Sequence, residues 1–258
     1  MCLIVFGFQA VPDYPLIVAA NRDEWHRRPA APLHEWENSV IIAGKDKEKG
    51  GTWMGATKTG RFAAVTNVRQ QSESARGRSR GELVKHFLET EDDDSFLQQC
   101  HQEGDEYGGY NFIGGDVHRV VYATNQNTAV KHILSPGIYG VSNASLDTPW
   151  PKTQKAKAQF AEIVNHASTG LDREALFELL SDKEEAVAQH LPQTGVDREW
   201  EKKLSPIFIN MEEYGTRAQT VFSVHKDGEA VMTERSFGEN GQYLSQTTIS
   251  WTITNERG

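Results

Sequence analysis

Residue 2 is a cysteine, and the run Met1-Cys2-Leu3-Ile4-Val5-Phe6-Gly7-Phe8 puts its thiol at the head of an apolar strand. Removal of the initiator Met, common before a small second residue, would leave Cys2 as the terminal residue. A thiol of pKa about 8.5 and an α-amine of about 7.7–8.0 then share one residue, a nucleophile beside its own base. Four polar residues, Asn21-Arg22-Asp23-Glu24, follow directly on a second apolar run. Asp23 near a terminal ammonium would orient it and tune its proton affinity. Asn67 and Asn143 each close a strand, and their side-chain amides can donate to a developing oxyanion. Tyr214-Gly215-Thr216-Arg217 precedes a late strand, where Arg217 offers a guanidinium for a substrate carboxylate or for orientation. Each has a structural alternative as well: Cys2 as a small core side chain, the Asn residues as turn caps.

A hairpin must bring the first of these residues together. Residues 2–9 and Leu16-Ile17-Val18-Ala19-Ala20-Asn21 read as strands, with Val11-Pro12-Asp13-Tyr14-Pro15 as the turn. Folding about Pro12 lays Cys2 opposite Asn21-Arg22-Asp23. Both strands are apolar on both faces, so their sheet should be covered on both sides. Along a strand, Asn21 and Asp23 share one face and Arg22 takes the other. Further strands are expected at 40–43, 61–67, 111–114, 119–123 and 138–142, then a short one at 205–209. Three longer ones follow at about 217–225, 229–237 and 246–254, with a turn signal at Gly238-Glu239-Asn240-Gly241. Helical periodicity marks 80–90, a segment after Asp92-Asp93-Asp94, Lys152 to about Ser168, and Asp172 to Leu180. Strands first, helices in the middle and strands last suit an α+β protein with mainly antiparallel sheets and helices stacked outside them. No repeat, low-complexity tract or linker divides the chain, so a single domain over 1–258 is expected.

The 258 residues carry a net charge of −9, which argues against nucleic acid as a constitutive partner. Two cysteines make no disulfide framework, and a reducing compartment follows. The apolar start lacks a basic flank and is soon broken by prolines, and no later run has the roughly 18 apolar residues of a membrane span. A cytoplasmic protein acting on a small molecule is the expectation. Gly50-Gly51-Thr52-Trp53-Met54-Gly55 lacks the Lys and spacing of a phosphate loop, and Trp53 reads as a pocket wall. Arg69, Arg76, Arg78 and Arg80 crowd a polar loop of the kind that is mostly solvated, with a lid attracting an anionic ligand as the less common alternative. Arg22, Trp53 and Arg69 are the expected substrate contacts. The nine histidines show no metal-binding spacing, so neither metal nor cofactor is expected, and Cys100 beside His101 reads as packing.

Taken together, Met1-Cys2 and Asn21-Arg22-Asp23-Glu24 resemble the NRDE family, related to the transport-and-Golgi-organisation proteins of eukaryotes. Gly51-Thr52-Trp53, Thr66-Asn67-Val68-Arg69, Gly81-Glu82-Leu83, Tyr110-Asn111-Phe112, Gly140-Val141-Ser142-Asn143 and Tyr214-Gly215-Thr216-Arg217 look like its further signatures. The start is also similar to the cysteine branch of the N-terminal nucleophile hydrolases, such as bile salt and penicillin V acylases. That resemblance implies a four-layer αββα sandwich and a catalytic set of Cys2, Asn21, Asp23, Asn67, Asn143 and, by a looser match, Arg217. The sequence departs from the pattern at Ala20, where the acylases carry Arg; Arg22 lies two positions on, in the same strand phase.

Two functions follow. The first is an N-terminal cysteine amidohydrolase acting on the carbon–nitrogen bond of a small-molecule amide. The second, implied by the eukaryotic relatives, is a non-catalytic binding or trafficking protein for a hydrophobic small molecule such as haem or an acyl lipid.

Overall fold

The computed structural model describes residues 2–69, 77–126, 130–167 and 170–254. In chain order the elements begin with β1 (Cys2–Val11), β2 (Tyr14–Trp25), β3 (Ala30–Glu35), β4 (Ile41–Asp46), β5 (Met54–Thr57) and β6 (Phe62–Asn67). Helices α1 (Arg80–Glu89) and α2 (Asp93–Glu103) follow, then β7 (Tyr110–Gly115), β8 (Val120–Thr124), β9 (Val130–Ile133) and β10 (Gly137–Val141). The last third holds α3 (Pro151–Asn165), α4 (Arg173–Leu180), α5 (Arg198–Lys203), β11 (Tyr214–Val224), β12 (Glu229–Phe237) and β13 (Tyr243–Thr252). Six strands form one sheet in the order β10-β1-β2-β11-β12-β13, and seven form the other, β3 through β9 in sequence. All their pairings are antiparallel.

The doubly apolar strands dictate the layering. Ile4, Phe6 and Phe8 of β1 meet Phe62, Ile113 and Phe222 between the two sheets, while Leu3 and Val5 pack under Phe160 of α3 and Phe177 of α4. On the far side, Phe87 of α1 and Phe96 of α2 stack edge-on or tilted against each other and Phe112. The result is a four-layer αββα sandwich with a core on each side of both sheets. Local sequence sets the helix starts. Ser79 caps α1 in a box with Glu82, and Asp92 and Asp172 accept from the free N–H groups of α2 and α4.

Some elements differ from the sequence-based expectation. The second strand does not stop at Asn21; β2 runs on to Trp25, because β11 supplies partners for Asp23, Glu24 and Trp25. No strand forms at 205–209. Pro206 lacks a backbone donor, and the Ile207 carbonyl is taken by the Asn21 side chain. Strand β3 carries no clear in-and-out alternation and has Pro32 near its centre, which an edge strand tolerates. Helix α5 is six residues long, too short for periodicity to reveal. Among the described residues, no helix is long and apolar enough to cross a membrane.

Candidate active site

Strand register decides what Cys2 can touch. Cys2 pairs directly with Arg22 across β1 and β2, and residues opposite each other in an antiparallel pair project to the same face. That is the face shared by Ile4 and Ala20, towards the second sheet. At the sheet's end the apolar core gives way to an open cavity of about 830 Å³, with Cys2 and Arg22 in its wall. The Arg22 guanidinium lies over the Trp53 ring at 4.5 Å from its centre and 3.7 Å from Glu24. It is 5% exposed, and its Nη1 has no hydrogen-bond partner. Arg22 therefore occupies the strand phase of Ala20, two residues nearer the end of the sheet, on the Cys2 side.

The other face of β2 points at the helices. Asn21 is buried there and does not line the cavity: its Nδ2 donates to the carbonyls of Leu180 and Ile207, both at 2.8 Å. The side chain pins the sheet to the end of α4 and the loop before β11. Asp23, one position beyond the Cys2–Arg22 pair, is buried and reaches the cavity wall. Its Oδ1 accepts from Thr216 Oγ1 at 2.7 Å, and its backbone carbonyl accepts from Tyr214 Oη at 3.0 Å. Burial raises the Asp23 carboxyl above the ordinary carboxylate range, opposed by the positive chain terminus, by Lys152, by the Thr216 hydrogen bond and by Arg22. Burial likewise raises the Cys2 thiol; the chain terminus pulls it down, the Asp23 charge pushes it up, and the Asp23 backbone hydrogen bond and Arg22 pull it down again. The net effect is a thiol that needs a base.

Two Asn residues complete the wall, one from each sheet. Asn67 ends β6, and Asn143 follows β10; both line the cavity. Asn143 Nδ2 donates to the Asn67 carbonyl at 2.9 Å, its Oδ1 accepts from Ser142 Oγ at 3.1 Å, and its carbonyl accepts from the Arg69 N–H at 2.8 Å. Ser142 Oγ also donates to the Cys2 carbonyl at 2.9 Å within their shared sheet, while the Asn143–Asn67 and Arg69–Asn143 bonds stitch the two sheets together beside the thiol. Asn111, from the Tyr-Asn-Phe signature, belongs to the stitching: it donates to Thr66 Oγ1 at 3.0 Å and to the Ala144 carbonyl at 2.9 Å. The glycine signatures have a steric cause. A Cβ on Gly51 would stand 2.6 Å from the carbonyl carbon of Gly81, so the loop and the start of α1 can meet only as bare backbone.

Of the expected substrate contacts, Arg22, Trp53 and Arg69 all line the cavity. Arg69 is buried, paired with Glu201 of α5 and set 5.0 Å from the Trp150 ring centre. Arg78 and Arg80 stand in the cavity wall as well, Arg78 held by Glu82, Glu103 and Glu106; Arg76 lies outside the described residues. Arg217 is placed elsewhere. A break in the β2–β11 register falls at this residue, and its guanidinium donates to the carbonyls of Trp25, His26, Arg28 and Phe237. It does not line the cavity, and its donors bind the end of β2 to β12.

Sequence reading passed over Lys152, Glu201 and Tyr214. Lys152 and Glu201 are 4% and 2% exposed. The only sequence signal for Lys152 is its place directly after Trp150-Pro151, a helix start at which a cation is unfavourable. Among the described residues no cluster of three or more His, Cys, Asp or Glu is placed to hold a metal ion.

Comparison with known proteins bears on this geometry. Residues 1–239 match the family model described as Transport and Golgi organisation 2. The mouse Transport and Golgi organization 2 homolog is 36% identical over 97% of this chain and 96% of its own. The human homolog is 36% identical over 92% and 93%, and the Drosophila melanogaster protein 24% over 92% of each. In fold, the chain is similar to a mutant of the conjugated bile acid hydrolase of Clostridium perfringens, with a TM-score of 0.54, 7% identity and 98% of each chain covered. A Caenorhabditis elegans ortholog of N-acylethanolamine-hydrolyzing acid amidase gives 0.50 at 10% identity, over 85% of this chain and 92% of its own. The αββα sandwich is thus the N-terminal nucleophile hydrolase fold.

Proposed function

The chain belongs to the Transport and Golgi organisation 2 family, and on that footing we propose that it is an amidohydrolase whose nucleophile is Cys2. One observation carries the reading: the Cys2 thiol lines a cavity of about 830 Å³ whose wall also holds Arg22 and Asp23 of β2, Asn143 just after β10 of the same sheet, and Asn67 of the other sheet. With Met1 removed, the Cys2 α-amine takes the thiol proton, and the thiolate attacks the amide carbonyl. Asp23, buried one position beyond the Cys2–Arg22 pair, holds the amine in orientation. The carbonyl oxygen becomes an oxyanion that side-chain N–H groups of Asn67 and Asn143 can receive. The amine then passes its proton to the leaving nitrogen as the C–N bond breaks, and water cleaves the Cys2 thioester to release the acid. Arg22 takes the part left open at Ala20, a cation on the Cys2 side of the sheet.

One structural relative is an acid amidase ortholog and the other a conjugated bile acid hydrolase, and the family name points instead to transport. A carrier reading draws on the aromatic side of the cavity, where Trp53 and Trp200 stand with Leu204; a hydrophobic cargo such as an acyl lipid or haem would lie there without reacting. Intact mass after treatment with a thiol-directed acylating probe separates the two. The amidohydrolase predicts a purified chain beginning at Cys2 and one acyl group on that residue, released by water. Folded protein that retains Met1 overturns it. A bound lipid or a shifted haem band, with function surviving Cys2→Ala, favours the carrier.

A further inference from the structure

The two sheets end in four edge strands, β10, β13, β3 and β9, and three of them are closed to further pairing. On β10, Asp147 takes both the N–H and the carbonyl of Gly140, each at 2.8 Å. Strand β3 carries Pro32, and β9 is only four residues long. Blocked groups, proline and short length are the devices by which a sheet avoids adding another strand. Strand β13 has none of them. It is ten residues long, Tyr243-Leu244-Ser245-Gln246-Thr247-Thr248-Ile249-Ser250-Trp251-Thr252. Its single irregularity lies at the start, opposite Ser236 and Phe237, and the ladder to β12 is unbroken from Ser245 to Thr252. It holds no charged residue, proline or glycine, in a chain of which 24% is charged. Among the described residues no strand pairs with its outer edge.

The open edge is held in place and left unfinished. Thr248 shares a 3.0 Å hydrogen bond with Thr233, and Gln246 accepts from Arg235 at 2.8 Å. Beyond the strand, the Ile253 N–H donates to the Gly228 carbonyl at 2.8 Å and the Thr254 N–H to the Lys58 carbonyl at 3.3 Å. An edge fixed in this way gives up little conformational freedom when another strand joins it. On the inner side, Ile249 and Trp251 pack against the core between the sheets, with the Trp251 ring 5.9 Å from that of Phe222, yet both stay half-buried. Met232, opposite Ile249 on β12, is fully buried. Composition indicates which strand completes the edge. Pairing with an unrelated chain gains from charges of opposite sign. Antiparallel pairing with an identical strand about a two-fold axis sets the central residues against themselves, where any charge would meet its like. An uncharged centre suits the second case. We propose that β13 is a dimerisation edge: it pairs antiparallel with the β13 of a second copy, the axis passing near Thr248, and joins their two six-stranded sheets into one. The regular part of the strand supplies about eight main-chain hydrogen bonds, close to the number in a whole typical interface. Ile249 and Trp251 of each copy are then covered by the inner side of the other strand. No residue of β13 lines the Cys2 cavity, so the dimer is independent of the amidohydrolase reading.

Sedimentation equilibrium of the full chain at about 100 µM should give the mass of two chains. Thr248 is exposed, and Thr248→Lys and Thr248→Glu each place like charges across the axis. Either should weaken association at least about tenfold, and an equimolar mixture of the two should recover it, because the mixed pair opposes a cation and an anion. Hydrogen exchange reads the unaltered protein: β13 amides should exchange more slowly at about 100 µM than at about 1 µM, while those of β3 stay the same. A chain that remains single at the higher concentration overturns the proposal in favour of a different occupant of this edge. So does a dimer that neither substitution weakens, or one whose β13 amides exchange at the same rate at both concentrations. If the two variants weaken association and their mixture does not restore it, the charge argument fails and the proposal with it. Where a variant does not fold, the exchange measurement decides.

Discussion

The protein has two cysteines, each beside a cavity, and their surroundings are opposite. Cys2 stands at the end of a sheet where Arg22, Asp23, Lys152 and Arg69 bring four charges into buried positions. Cys100 lies in α2 beside a cavity of about 450 Å³, among Phe96, Leu97, Tyr107 and Tyr110, and its carbonyl accepts from Tyr110 Oη at 3.4 Å. Burial raises both thiols. For Cys100 the opposing influence is slight and the thiol is pushed up to about 12, whereas around Cys2 positive groups work against burial from several sides. A thiol in a cavity is therefore not enough for chemistry. What separates the two is the supply of cations that can stabilise a thiolate.

The contrast breaks most readily at the sulfur atoms. Cys2→Ala is expected to abolish labelling by a thiol-directed acylating probe at neutral pH, and Cys100→Ala to leave it intact. Equal labelling at both positions, read by peptide mass, would end the comparison. Next in size is an effect on stability from the same electrostatic end of the molecule. Glu234 is buried, accepts from the Leu33 N–H at 2.7 Å, and burial pushes its carboxyl up to about 7. A raised carboxyl binds its proton more tightly when folded, so its contribution is full below the unfolded pKa and is lost as pH rises through about 7. From pH 4.5 to 7 the wild type should lose up to about 3 kcal/mol from this group. Glu234→Gln keeps the acceptor for Leu33 and should flatten that slope in urea titrations; an unchanged slope removes Glu234 as its cause. The smallest expected effect is at Arg22. Arg22→Gln should slow alkylation of Cys2 at pH 7 about tenfold, near 1.4 kcal/mol, and leave Cys100 unaffected. A uniform loss at both thiols would instead mean loosened structure.

How much of this was legible in the sequence depends on the range of the interaction that decides it. The hairpin and its two-faced burial could be read from residues 2–21, because strand periodicity and turn residues are local properties. Their register placed Cys2 near residues 21–23. The face relation of Asn21, Arg22 and Asp23 followed from alternation alone, but not which face carries the cavity. That depends on where the second sheet ends, and it is Arg22 rather than Asn21 that joins Cys2. Arg217 shows the same limit. Its place before a late strand was visible, yet the break in register that turns its guanidinium towards four backbone carbonyls depends on β2 continuing to Trp25. Lys152 and Glu201 were out of reach for a simpler reason. Charged residues on helices are normally solvated, and only the packing of α3 and α5 behind the sheet buries them.

The hydrogen bond from Ser142 to the Cys2 carbonyl has a practical consequence. It fixes the backbone of residue 2 inside the sheet, between β10 and β2, with its side chain already in the cavity wall. A peptide fused ahead of Cys2 starts from a residue in the cavity wall, and tethering there gives it a high effective concentration beside the site. Affinity handles therefore belong after β13.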